Sequence, residues 1–156
     1  MITPHDMKGV QPTKKGNTMF TQSFDSYVCE GDSITCDVDG FTVTARIERD
    51  VDYRIDDDDC HNTDQSVTGC DDDQFARLLK CRKAWFNDEW FYCGVVLAVS
   101  RNGIEIDDYA ASLWGVEANY PGGTNAYLTE VANELLSEAL DAARVTLANT
   151  LEKLTA

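Results

Sequence analysis

The chain has 156 residues, with 28 acidic against 13 basic side chains and a formal net charge of −15. This length fits one domain with a packed core, since domains commonly hold roughly 100–150 residues. The charge argues against direct binding to nucleic acid or to an anionic membrane, and it favours a basic protein surface as the partner.

The sequence shows neither a membrane span nor a secretory signal. No run of about 18 apolar residues occurs, and the first residues lack the cationic-then-apolar order of a signal peptide. We therefore expect a cytoplasmic protein. Because such a compartment is reducing, we expect free thiols at all six cysteines: Cys29, Cys36, Cys60, Cys70, Cys81 and Cys93.

Two segments flank the first predicted strands. Residues 1–24 are polar, carry three lysines and show no apolar periodicity, so they are predicted to form a disordered tail before a single α+β domain at 25–156. Residues 50–73 are acidic and poor in large apolar side chains, which predicts an exposed loop.

A β-hairpin is the clearest local signal. Asp39 and Gly40 suit a two-residue type I′ turn between segments of alternating polarity. This turn sets the strand register and places three cross-strand pairs on one face: Val38 with Phe41, Cys36 with Val43, and Ile34 with Ala45.

The remaining elements follow in the order helix, hairpin, short helical turn and long helix. We predict a helix at 74–86 capped by Asp71 or Asp72, strands at 90–100 and 104–106, a helical turn at 110–113 after Asp107 or Asp108, and a helix at 127–154. The predicted fold is therefore α+β: an antiparallel sheet of two hairpins with helices on one face and a long C-terminal helix.

The C-terminal helix is longer than a small sheet can cover. At 1.5 Å per residue, 28 residues extend about 42 Å. Its leucine stripe must therefore bend back on the core or pack against a partner or a second copy. A homodimer is one expected consequence.

Catalytic and cofactor motifs are missing from the sequence. His5 and His61 are the two histidines, and neither neighbours a serine or cysteine in a nucleophile pattern. No phosphate-binding glycine loop or dinucleotide fingerprint occurs. We expect no enzyme, no catalytic residue and no cofactor.

Four residues are potential metal ligands: Cys60, His61, Cys70 and Cys81. Their spacing lacks the close Cys-x-x-Cys pairs of zinc sites, and the contiguous acids at 56–59 do not alternate as calcium ligands do. We predict no metal site, with a Cys/His metal-binding protein as an open alternative.

Four stretches of the chain resemble a known group of sequences: residues 40–50, 85–103, 111–122 and 127–136. They are similar to a module of uncharacterised small acidic proteins from bacteriophages and mobile elements of proteobacteria. The resemblance implies a phage-type source and the cytoplasm of a host bacterium. It carries no assigned activity, so it implies no functional residue.

Size and charge are similar to those of phage inhibitors that occupy the nucleic-acid site of a host CRISPR or restriction protein. The leading hypothesis is such an anti-defence inhibitor, with carboxylates replacing DNA phosphates against a basic groove. The alternative is a structural or regulatory phage protein that dimerises through the C-terminal helix. The candidate partner-binding residues are Asp52, Asp56, Asp57, Asp58, Asp59, Asp64, Asp71, Asp72 and Asp73.

Overall fold

The structure, a computed structural model, describes residues 19–156. In chain order the elements are strands β1 (Ser33–Val38) and β2 (Phe41–Arg49), two 3₁₀ turns (Ile55–Asp57 and Asp59–His61), helices α1 (Gln65–Thr68) and α2 (Asp72–Phe86), strands β3 (Phe91–Arg101) and β4 (Ile104–Ala118), and helix α3 (Ala126–Thr155). The sheet, its two hairpins and the long last helix confirm the predicted α+β class.

The four strands form one antiparallel sheet in the order β1-β2-β3-β4. The first hairpin has the predicted register: Val38 is opposite Phe41, Cys36 is opposite Val43, and Ile34 is opposite Ala45. Asp39 and Gly40 both have positive φ, +52° and +83°, as a type I′ turn requires. The Asp39–Gly40 pair therefore predicted the turn, and the alternating polarity predicted the buried face.

Strand β4 is much longer than the sequence predicted. The short helical turn expected at 110–113 is wrong, because Ala111 pairs with Leu97 and Leu113 with Val95 as β4 continues. Asp108 accordingly caps no helix, and its carboxylate accepts from Arg46 at 3.1 Å. The long, buried strand β3 offers a pairing edge along its whole length, which overrides the weak local preference of this segment.

The main core lies between the sheet and α3. Side chains at alternate positions of β3, such as Cys93 and Leu97, pack with Leu128, Val131 and Leu136 of the helix. The buried positions of α3 end at Ala143, and residues 148–156 are exposed. The last turns of α3 therefore extend past the sheet.

A second, smaller core lies on the other face of the sheet. Tyr92 alternates with Phe91 and Cys93, which face α3, so the Tyr92 side chain points the opposite way. It packs with Ile55, with Trp90 just before β3 and with Ala84 of α2. The helices are thus divided between the two faces, whereas the sequence predicted one shared face.

The beginning of the described chain is packed against α3. Residues 1–18 of the predicted tail lie outside the described residues, but Phe20 and Phe24 are buried in the main core. Their backbone N–H groups donate to Asn133 at 2.7 Å and Thr129 at 3.0 Å. The predicted boundary at residue 24 therefore comes too late, because two phenylalanines in a polar segment give no detectable periodicity.

All six cysteines are free.

Between residues 19 and 156, no helix combines the length and the apolar character needed to cross a bilayer.

Candidate functional site

The acidic loop at 50–73 is anchored to the sheet by its first aspartate. Asp50 Oδ1 accepts from the N–H groups of Asp52 and Tyr53, both at 3.1 Å. Its Oδ2 accepts from Gly115 N of β4 at 3.0 Å. One carboxylate thereby closes the turn that starts the loop and ties it to the neighbouring strand.

The two 3₁₀ turns give the middle of the loop a fixed shape. Ile55 is fully buried in the smaller core, and the carboxylate of Asp57 accepts from Arg54 N at 3.1 Å. Asp58 caps the second turn, accepting from Cys60 N at 3.0 Å. The loop is therefore a folded segment that presents its acids at set positions.

Asp58 departs from the predicted exposed run at 56–59. Its side chain is 14% exposed, and its Oδ2 accepts from the Tyr92 hydroxyl at 2.7 Å and pairs with His61 Nδ1 at 2.8 Å. His61, 5% exposed at its side chain, reaches the Tyr120 hydroxyl through Nε2 at 2.9 Å. The expectation of uniform exposure is wrong at this residue, because the turn directs Asp58 towards buried donors.

The charge state of this network follows from its donors. Burial opposes ionisation of Asp58, but hydrogen bonds from Tyr92, His61 and Cys60 N outweigh it and lower the pKa of the carboxyl group. Burial, with the Asp58 hydrogen bond and charge second, raises the pKa of Tyr92. The ionised Asp58 thus pairs with His61 Nδ1, and the Tyr120 hydroxyl contacts Nε2 of the same ring.

The other eight candidate aspartates are exposed, and several of them have local structural roles. Asp56 pairs with Arg82 at 2.7 Å, Asp64 caps α1, and Asp71 caps α2 in a capping box with Gln74. Asp72 accepts from a side-chain amide at 3.0 Å. The loop therefore presents eight of the nine predicted residues to solvent. The ninth, Asp58, is held in the buried network.

A second acidic surface was missed in the sequence. Glu130, Glu134, Glu138 and Asp141 are exposed at helical spacing on α3, and the last three line a groove with Asp107 of β4. These acids are three or four residues apart on a predicted helix, and this spacing could have indicated a shared acidic face. Counting charges along the chain does not reveal it, because these acids are separated by apolar residues.

Few of the surface carboxylates have a basic partner. Residues 19–156 contain 27 acidic and ten basic side chains. Within this part of the chain, arginines pair with Asp39, Glu48, Asp56, Asp108 and Asp141. The uncompensated remainder gives the surface a strongly negative potential.

The structure does not bring together all four residues of the alternative cysteine–histidine ligand set. Cys60, His61 and Cys81 line one cavity of about 440 Å³ together with Glu117 and Tyr120, but Cys70 is not part of that lining. Within residues 19–156, the group with metal-ligand spacing is instead Asp58, His61 and Glu117. Glu117 lies 56 residues after His61, so no local pattern connects the two residues.

Comparison with protein-family models, with curated proteins and with solved structures found no significant match.

Proposed function

We propose that this protein inhibits a bacterial defence system by occupying the nucleic-acid site of a CRISPR or restriction protein with its carboxylates. The proposal includes a phage or mobile-element source and action in the host cytoplasm. The observation that carries it is the surplus of exposed carboxylates, with 27 acidic and ten basic side chains in residues 19–156. Such a surface attracts a basic groove and repels DNA itself.

The number of exposed carboxylates favours the acidic loop over α3 as the contact. Four acids between residues 130 and 141 give about one carboxylate per 5 Å of helix axis at 1.5 Å per residue. A DNA strand carries one phosphate per about 3.4 Å. The carboxylates of α3 are therefore spaced more widely than the phosphates of a DNA strand, and there are only four of them. The loop presents eight exposed candidate aspartates in residues 52–73.

The loop also has a defined shape, which a charge mimic needs. Asp50, Asp57 and Asp58 hold its backbone through hydrogen bonds, and Ile55 anchors it in the smaller core. A groove that recognises phosphate positions gains specificity only from charges at fixed positions. A folded acidic loop supports this mode better than a mobile acidic tail would.

Two variants of equal charge test which surface binds. The loop variant carries Asp52→Asn, Asp59→Asn, Asp72→Asn and Asp73→Asn, which spares Asp58 and the capping residues Asp64 and Asp71. The helix variant carries Glu130→Gln, Glu134→Gln, Glu138→Gln and Asp141→Asn. We expect the loop variant to bind a defence protein captured from a proteobacterial lysate about tenfold more weakly at low salt, with a shallower salt dependence.

The helix variant is the matched control because it loses the same number of charges. It should bind within about threefold of the unaltered protein, since rim charges far from the contact act weakly through screening solvent. Equal losses in both variants would show that net charge alone drives capture. Unchanged binding of the loop variant would remove the acidic loop from the contact.

A second function, assembly through α3, is favoured by the exposed end of its leucine stripe. Leu147 packs against the main core, but Leu151 and Leu154 on the same side of the helix are 53% and 76% exposed. A second copy would cover this continuation of the stripe. In this case the protein is a structural or regulatory dimer whose charge maintains solubility.

Sedimentation measures this self-association directly. We expect a dimer at high micromolar concentration and a folded monomer after Leu151→Glu with Leu154→Glu. The control, Val145→Glu with Asn149→Glu, adds the same charge on the opposite side of α3 and should remain dimeric. A monomeric unaltered protein, or equal dissociation of both variants, contradicts assembly through the stripe.

A further inference from the structure

Three potential metal ligands converge from two distant parts of the chain. Asp58 caps the second 3₁₀ turn of the acidic loop, His61 ends that turn, and Glu117 belongs to β4. One ligand atom of each residue lies within 4.8 Å of the other two. All three side chains are at least partly buried, which distinguishes this group from the exposed carboxylates of the surface.

Glu117 is the unusual member of the group. Its carboxylate makes no hydrogen bond to any residue in 19–156, although β4 holds it beside the buried pair. Burial raises the pKa of Glu117, an effect that His61 opposes and Asp58 reinforces. Two carboxylates and one imidazole converge here, and a divalent cation is a species that such a ligand set can hold.

We propose that Asp58, His61 and Glu117 form a binding site for a divalent transition-metal ion of the Zn²⁺ class. One imidazole nitrogen and two carboxylates are ligands that zinc accepts, at about 2.0–2.2 Å each. Two such ligands on a tetrahedral ion are about 3.3 Å apart. Asp58 Oδ2 and His61 Nδ1 are 2.8 Å apart, so a small separation of the pair admits the ion.

The hydrogen bond at the other ring nitrogen fits this role. When the ion takes Nδ1, Nε2 carries the ring proton and donates to the Tyr120 hydroxyl across the 2.9 Å contact. Ligating histidines commonly donate their second N–H to a neighbouring oxygen, which fixes the ring orientation. Tyr120 is therefore a positioning residue for His61.

Access to the group comes from the cavity of about 440 Å³ that His61 and Glu117 line. Solvent can thus reach two of the three ligands. Cys60 and Cys81 line the same cavity. Their thiols are an alternative source of zinc affinity, so the test must separate them from the carboxylates.

The test is a zinc titration of the full chain after metal removal with a chelator, in a Cys60→Ser, Cys81→Ser background. We expect one Zn²⁺ per chain, and Glu117→Gln should weaken its binding by at least about tenfold. Glu130→Gln, an exposed control on α3, should bind like the background. Substitution with Co²⁺ should give the visible absorption of a low-coordinate site, absent in Glu117→Gln.

Folding is checked on the same samples in chelator. Glu117→Gln should melt close to the temperature of the background at pH 7, because glutamine keeps the size of the side chain and the carboxylate it replaces makes no hydrogen bond within residues 19–156. Absence of stoichiometric zinc, or equal binding by Glu117→Gln, would overturn the site.

Discussion

Replacing Asp58 with alanine is expected to lower the free energy of unfolding by about 2–4 kcal/mol. The substitution removes the acceptor of the Tyr92 hydroxyl and of His61 Nδ1, which are 2.7 and 2.8 Å from the carboxylate. Each buried donor left without a partner costs about 1–3 kcal/mol. The loss of the Cys60 N contact adds the effect of a missing helix cap.

The pH dependence of this effect has a definite sign. The fold lowers the pKa of Asp58, so its ionised form stabilises the protein above the ordinary aspartate pKa of about 3.9. The contribution disappears as the pH falls through the lower pKa of the folded state. The difference between the variant and the unaltered protein should therefore be largest near neutral pH and shrink below about pH 4.

Urea unfolding in the presence of a chelator measures the Asp58 effect without any contribution from metal. Asp59→Ala is the matched control, because this neighbouring carboxylate is exposed and should change stability by only about 0.5 kcal/mol. Similar midpoints for the two variants would contradict the buried network. A large loss for Asp58→Ala would also explain why charge variants of the loop must spare this residue.

Replacing Trp90 with alanine is expected to lower the free energy of unfolding by about 3–5 kcal/mol. The residue is 1% exposed, and its ring packs edge-on against Tyr92 and Tyr120 with centroids 5.0 and 4.9 Å away. Its Nε1 donates to Cys81 O of α2 at 2.8 Å. Alanine therefore leaves a cavity and releases the link between α2 and the sheet.

Trp114→Ala provides the comparison on the surface. Trp114 is 42% exposed and lies over Gly94, where a Cβ atom would stand 2.4 Å from the indole ring. Its removal uncovers a strand without opening the core, so a loss of about 1 kcal/mol is expected. Thermal or urea unfolding of both variants tests the assignment. A Trp90 effect no larger than the Trp114 effect would contradict the second core.

Local patterns predicted the parts of the fold that depend on neighbouring residues. The Asp39–Gly40 turn specified the first hairpin, since a two-residue turn and strict alternation leave one register. The leucine stripe predicted α3 to within one residue at each end. Both signals are periodic over many positions, so tertiary contacts reinforce them.

Long-range contacts determined the parts that the sequence missed. Strand β4 extends through 110–113 because β3 pairs with it, and Phe20 and Phe24 are fixed by acceptors on α3 more than 100 residues away. Asp58 has the same side chain as its neighbours in the run 56–59. Only the positions of Tyr92 and His61 distinguish it, and the chain order does not show them.

The central proposal is that the acidic loop and nucleic acid compete for one basic site. The direct measurement uses the captured defence protein with a fluorescent DNA duplex bound to it, followed by titration with this protein and with the loop variant. We predict that the unaltered protein displaces the duplex stoichiometrically at low salt and that the loop variant needs about tenfold more. A ternary complex, in which the defence protein holds the duplex and this protein together, would contradict the proposal.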